Sequence, residues 1–178
     1  MRRSSVVLLL PIQLLPIASP IQIRIFQIEV SSVKLLILNG PNLNLLGIRE
    51  PEIYDNRNYN DLCNLIEAHA AQIGVGVEIR QTNHEGVLVD WIQEARGRFD
   101  GIVLNPAAYT HSSVALLDAV QAVGIPTVEV HISDPDSREP FRRISFVRPA
   151  CVACVKGRGL EGYLEAMDLL KVKMEVEN

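Results

Sequence analysis

Between Val33 and Lys173, short apolar runs alternate with longer stretches whose apolar residues recur at helical spacing. The alternation predicts strands at Val33–Leu38, Gly76–Gln81, Gly101–Asn105, Thr127–His131 and Cys151–Val155. Helices are expected from about Asn58 to Ile73, Gly86 to Arg96, Ser112 to Val123 and Glu161 to Lys173, with a shorter one near Arg138 to Arg143. Strands that alternate with helices cannot pair as hairpins. They form a parallel sheet with helices packed on both faces. Runs such as KLLILN and GIVLN are apolar at successive positions, as strands covered on both sides must be. The simplest outcome is an α/β, flavodoxin-like, doubly wound sheet of five parallel strands with right-handed crossovers.

At 178 residues and 48% hydrophobic, the chain suits one compact domain with a proper core. Residues 1–32 differ in character, with prolines at 11, 16 and 20 and only Arg2, Arg3, Arg24 and Glu29 charged. The Arg-Arg start and apolar Val6–Ala18 resemble a targeting signal, but Ala18-Ser19-Pro20 makes a poor cleavage site. The stretch is also short and proline-broken for a membrane span, which needs about 20 residues. We therefore expect residues 1–32 to be an apolar extension outside the fold, and residues 33–178 to be the domain. A cytoplasmic location is expected, with a targeted one left open by the extension.

The chain carries 17 Lys and Arg against 21 Asp and Glu, and three of those cations and one acid lie in the extension, so the domain has net charge −6. An acidic domain with few aromatics lacks the basic stripe that nucleic-acid binding requires. Attraction for an anionic ligand must then be local, and Arg49 and Arg142 are the candidates. The three cysteines, Cys63, Cys151 and Cys154, include a C-x-x-C spacing. On a strand, positions three apart point to opposite faces, so buried thiols in a reducing compartment are expected rather than a redox or zinc pair.

The chemistry gathers where the strands end. LLILNGPNLNLLGIREPEIY runs from the first strand into a loop bearing Asn39, Asn42, Asn44, Arg49, Glu50 and Tyr54. Later runs end in Asn83, His84 and Glu85, in Asn105, Tyr109, His111 and Ser112, and in Glu129, His131 and Ser133. Open α/β sheets bind ligands at the carboxyl ends of their strands. Residues of these types can hold a polyhydroxylated anion and move a proton.

The NGPNLNLLG-REPEIY loop, the TNHEG turn, NPAAYTHSSVAL-DA, EVHIS with REPFRRIS downstream, and GLEGYLEA together resemble the type II 3-dehydroquinate dehydratases. The resemblance covers roughly Val33 to Leu170. It implies a strand order of 2-1-3-4-5, trimers assembled into a homododecamer, and no cofactor. It also implies conversion of 3-dehydroquinate to 3-dehydroshikimate, a hydro-lyase reaction used in shikimate biosynthesis of aromatic amino acids and in quinate breakdown.

On the matching positions, Tyr54 corresponds to the base that removes a proton beside the ketone. A phenol, with an ordinary pKa near 10, needs a neighbouring cation to serve near neutrality, and Arg49 can supply it. Guanidinium stays charged where a lysine could surrender its proton. Asn42 matches the asparagine that holds a water against the developing enolate; its backbone alternative is a turn former after Pro41. His131 matches the general acid that protonates the departing hydroxyl. Glu129, two residues earlier and hence on the same strand face, can support it. Asn105, His111, Ile132, Ser133 and Arg142 match substrate-binding positions, and Asp118 one that reaches a neighbouring subunit's site. The amides of Ile132 and Ser133 would meet the carboxylate as an anion nest does.

Some positions depart from that pattern. Asp55 stands where a glycine usually follows the tyrosine, Asp134-Pro135-Asp136-Ser137 and Pro140 surround the arginine loop, and Leu117 replaces a common arginine. The four histidines, at 69, 84, 111 and 131, have no metal-ligand spacing. None of the four lysines follows a predicted strand end within the motif loops, which disfavours imine chemistry. The competing reading is a non-catalytic nucleotide- or flavin-binding module on the same scaffold. An asparagine-rich first loop without a glycine-rich phosphate cradle argues against it.

Overall fold

A computed structural model describes residues 33–48 and 57–177 of the chain. Its sheet has five parallel strands: β1 (Lys34–Asn39), β2 (Gly76–Gln81), β3 (Gly101–Asn105), β4 (Thr127–His131) and β5 (Ala153–Lys156). Their spatial order is β2-β1-β3-β4-β5, as the resemblance implies. Among the described residues four α-helices alternate with these strands: α1 (Tyr59–Ile73), α2 (Glu85–Glu94), α3 (Val114–Val123) and α4 (Gly162–Glu177).

Alternate residues of the central strands feed two separate cores. Leu35 and Ile37 pack with Leu62 and Ile66 of α1 and with Met167 and Leu170 of α4. Leu36 and Leu38 face the other side, against Leu88 and Ile92 of α2 and Leu116 of α3. This is why β1 and β3 read as near-continuous apolar runs, whereas β4, TVEVH, is buried but carries Glu129 and His131, and the edge strand β2, GVEIRQ, is only partly buried. Each fully buried Leu or Ile contributes about 1.5–3 kcal/mol, so the sheet's centre is its most stable part.

Helix ends follow their local chemistry. Asn58 caps α1, its side chain accepting from the amides of Asn60 and Asp61 at 2.8 and 3.1 Å, while Asp61 accepts from the Asn58 amide at 2.8 Å. That reciprocal box satisfies amides that have no partner within the helix. Gly74 and Gly124 end α1 and α3 in the left-handed region, at φ 72° and 64°.

Several predicted boundaries need correction. Residues Cys151 and Val152 stand outside β5, because Pro149 sits in a 3-10 turn, Arg148–Ala150, that delays the strand. The strand argument about Cys151 and Cys154 therefore fails, and both are only partly buried. The helix expected near Arg138–Arg143 is two 3-10 turns, Pro135–Ser137 and Pro140–Arg143, each opened by its own proline. Helix α2 begins at Glu85 and stops two residues before Arg96, and α4 runs on to Glu177.

Candidate active site

Strand order reverses between β1 and β3, where a doubly wound sheet opens a crevice at its carboxyl edge. Asn39 and Asn105 are register partners at that point. The next residue, Gly40, donates its amide to the Asn105 carbonyl at 2.8 Å. A Cβ on Gly40 would lie 2.6 Å from the Pro106 carbonyl oxygen, so only glycine lets the two loops meet. Beyond the contact, Asn42 and Ala107 both adopt positive φ, 67° and 49°. For alanine that geometry costs roughly 1–2 kcal/mol, and the Asn105 side-chain oxygen helps hold it by accepting from the Ala107 amide at 3.1 Å.

A cavity of about 230 Å³ lies at this edge, and Asn42, Asn105, His111, His131, Ile132, Ser133 and Arg142 all line it. Seven positions predicted from the sequence thus converge, from four separate segments of the chain.

On β4, Glu129 and His131 point the same way, as their spacing requires. Nε2 of His131 lies 2.8 Å from Oε1 of Glu129, which has no exposed surface. The Thr110 hydroxyl donates to the same oxygen, and the Ser145 hydroxyl lies 3.1 Å from both carboxylate oxygens. Burial alone would push the Glu129 carboxyl up. The hydrogen bond and charge of His131, with the Thr110 and Ser145 hydroxyls, bring it net below the ordinary carboxylate value. Neither Thr110 nor Ser145 was expected from the sequence, because their contacts span 19 and 16 residues.

Around this pair stand groups suited to an oxyanion and hydroxyls. His111 Nδ1 donates to the Ile144 carbonyl at 2.7 Å, which leaves Nε2 for a ligand. Arg142 donates from Nε to Glu139 at 2.8 Å and lies 5.1 Å from the Phe141 ring centroid. Arg138, which the sequence did not single out for the site, also lines the cavity. Behind the pair, a hollow of about 20 Å³ is bordered by Glu129, His131, Ser145 and Lys156. Lys156, outside the motif loops, ends β5 in register with His131. It pairs with Asp136 and with Asp134 at 3.7 Å, away from the main cavity.

Other expected residues do not join the cavity lining. His84 is the N-cap of α2 and Glu85 its first residue, so the TNHEG turn acts as a brace. There Asn83 accepts from the Asn42 amide at 2.9 Å, and its carbonyl accepts from the Tyr109 hydroxyl at 2.8 Å. Asp118 is exposed on α3. Arg49, Tyr54, Asp55 and the extension 1–32 lie outside the described residues. Among those described, no cluster of His, Cys, Asp and Glu could hold a metal ion. Burial raises all three thiols, Cys151 to about 12 with help from the Glu129 charge, which makes them poor nucleophiles.

The chain's similarity to known proteins points the same way. The family model described as dehydroquinase class II matches residues 33–171. A 3-dehydroquinate dehydratase of Corynebacterium glutamicum strain R is 53% identical over 137 residues, covering 77% of this chain and 94% of the relative. One from Clostridium acetobutylicum is 48% identical over 139 residues, with 78% and 96% covered. Among solved structures, the type II dehydroquinase of Butyrivibrio crossotus superposes with a TM-score of 0.78 at 50% identity, covering 79% of this chain and 99% of its own. That of Propionibacterium acnes gives 0.76 at 39% identity, covering 79% and 97%. With a family match across the whole sheet and relatives covered almost end to end, this chain belongs to the class II dehydroquinases.

Proposed function

We propose that the cavity at the β1/β3 switch point dehydrates 3-dehydroquinate to 3-dehydroshikimate through an enolate, with Tyr54 as base and His131 as general acid. The chain is a 3-dehydroquinate dehydratase of the shikimate route by family; the residue roles are our assignment. The observation that carries them is the buried Glu129–His131 pair opening onto a cavity that also presents Asn42, Asn105, His111 and Arg142.

In the first step the Tyr54 phenolate takes a proton from the carbon beside the ketone, and the C–H electron pair moves onto the carbonyl oxygen. Arg49 stabilises the phenolate, and Asn42 holds a water against the enolate oxygen. In the second step the enolate re-forms the ketone as the C1–O bond breaks. The hydroxyl leaves as water with a proton from His131. Since Nε2 of His131 is engaged by Glu129, that proton comes from Nδ1. Tyr54 ends protonated and His131 neutral, and exchange with solvent resets both.

Ile132 and Ser133 bind the substrate carboxylate, Arg142 supplies the compensating charge, and Asn105 and His111 hold hydroxyls. Asp118, exposed on α3, completes a neighbouring subunit's site within trimers that assemble into a dodecamer. Three cysteines free of disulfides suit a reducing, cytoplasmic setting. No described helix is long and apolar enough to cross a membrane. The flavin- or nucleotide-binding alternative is not favoured.

Purified protein given 3-dehydroquinate should develop the enone absorbance of 3-dehydroshikimate. Tyr54→Phe should abolish nearly all of that turnover with substrate binding retained, because the hydroxyl acts in the transition state. Near-normal turnover by this variant would remove Tyr54 from the mechanism.

A further inference from the structure

A chain of side-chain hydrogen bonds runs from the cavity wall into the core. Asn105 Nδ2 donates to the Tyr163 hydroxyl at 2.8 Å, and that hydroxyl donates to Asn39 Oδ1 at 2.6 Å. Asn39 Nδ2 in turn reaches the Tyr59 hydroxyl at 3.4 Å. Tyr163 and Asn39 have no exposed surface, and Asn105 only 3%. None of this is near in sequence: Asn39 and Tyr163 are 124 residues apart.

The direction of the chain is fixed at one end. The Ala107 amide, a donor that cannot rotate, meets Asn105 Oδ1 at 3.1 Å. Turning the Asn105 amide over would set donor against donor at Ala107. It would also leave an oxygen facing a hydroxyl whose single proton is already given to Asn39. Burial holds the Tyr163 phenol far above its ordinary pKa, so it stays protonated and keeps donating. Asn105 therefore has one N–H left for the cavity it lines.

We propose that Tyr163 and Asn39 are positioning residues that set the amide polarity of Asn105, so that Asn105 meets the substrate as a hydrogen-bond donor to one of its oxygens. This rests on the assignment of Asn105 to substrate binding made above. Neither Tyr163 nor Asn39 need touch the ligand. Their shared role explains why a core helix places a tyrosine hydroxyl between two strand-end asparagines, when a phenylalanine would fill the same space without a polar group to satisfy.

The test is a double-mutant cycle on the full chain with 3-dehydroquinate as substrate, reading KM, kcat and thermal midpoint for Asn105→Ala, Tyr163→Phe and the pair. Asn105→Ala should raise KM; if it does not, the substrate contact of Asn105 is wrong. Given that rise, Tyr163→Phe should raise KM about tenfold, the scale of one misdirected buried donor. In the Asn105→Ala background it should add less than about twofold, because the amide it orients is gone. Its lowering of the thermal midpoint should persist in both backgrounds. The same KM factor with and without Asn105 would mean that Tyr163 acts only through packing, and would overturn the proposal. Should Tyr163→Phe not fold, Asn39 decides the matter. Asn39→Asp keeps the acceptor for Tyr163 and should raise KM less than Asn39→Leu, which removes it. Equal KM values for those two variants would overturn the proposal as well.

Discussion

Nε2 of His131 lies 2.8 Å from a carboxylate oxygen of Glu129, two residues earlier on the same buried strand. The pair is read directly from strand geometry, since residues two apart share a face. Its energetics come from elsewhere: Thr110 and Ser145 approach the carboxylate from two other segments and help keep it ionised although Glu129 has no exposed surface.

Glu129→Gln should therefore lower kcat about ten- to a hundredfold, less than removal of a general acid itself, which costs about a hundred- to ten-thousandfold. Stability should respond to pH as well. A carboxyl whose pKa is depressed in the folded state stabilises the fold above its unfolded value, about 4.3, and that contribution fades as pH falls through the lower folded value. The thermal midpoint of the wild type should exceed that of Glu129→Gln near neutrality, and the gap should narrow in acid. A gap that stayed constant from pH 7 to pH 3 would deny the depressed pKa.

Gly40→Ala should cost about 1–3 kcal/mol, the usual range for overpacking, and raise KM. Its Cβ would fall 2.6 Å from the Pro106 oxygen and 2.8 Å from the Pro106 carbonyl carbon, backbone atoms with no flexible end to yield. The loops bearing Asn42 and Asn105 would be spread in consequence. Gly86 is the contrast: a Cβ there meets nothing within 4 Å. Gly86→Ala in the first turn of α2 should be neutral or stabilising, by up to about 1 kcal/mol. Melting curves of the two variants check both signs, and a well-tolerated Gly40→Ala would contradict the close approach.

The contrast between these glycines illustrates what could be read from the chain. Strand identity was legible from the apolar runs of β1 and β3 and from the alternating valines of β4; β2, β3 and β4 have the predicted bounds and β1 is shifted by one residue. Strand β5 was misjudged because ACVACV is apolar before strand pairing begins at Ala153, and exposed Val152 precedes the strand. The cavity residues were legible because the sheet's topology gathers strand ends. His84 and Glu85 were misread for the same reason: they follow a strand, but a helix begins there at once. Thr110, Ser145 and Tyr163 carried no local signal, since hydroxyls in apolar surroundings reveal a role only when a distant partner is known.

Borohydride in the presence of substrate should not inactivate the enzyme, and chelators should leave turnover intact. An enolate route forms no imine to reduce. The lysine nearest the site, Lys156, is held protonated by its hydrogen bond to Asp136, which raises its pKa and removes the free amine that an imine requires. No described cluster could bind a metal. Mass spectrometry that found a lysine carrying reduced substrate, or activity lost to a chelator and restored by metal, would overturn the proposed chemistry.

Removal of residues 1–32 should leave a folded, active domain. Strand β1 begins at Lys34, and Val33 already closes its first inter-strand contact by accepting from the Gly76 amide at 2.8 Å. The family match also begins at residue 33. The described residues beyond the cut supply two buried cores, and every residue assigned a role lies there too. The extension's prolines interrupt both helical and strand periodicity, so its sequence offers no regular face to dock. Its apolar residues, if exposed, would favour self-association, and the truncated chain should be the more soluble one. Comparison of kcat, KM and thermal midpoint for the full chain and residues 33–178 tests this. A truncated protein that failed to fold, or lost activity while its oligomeric state changed, would mean that the extension packs against the domain or its assembly.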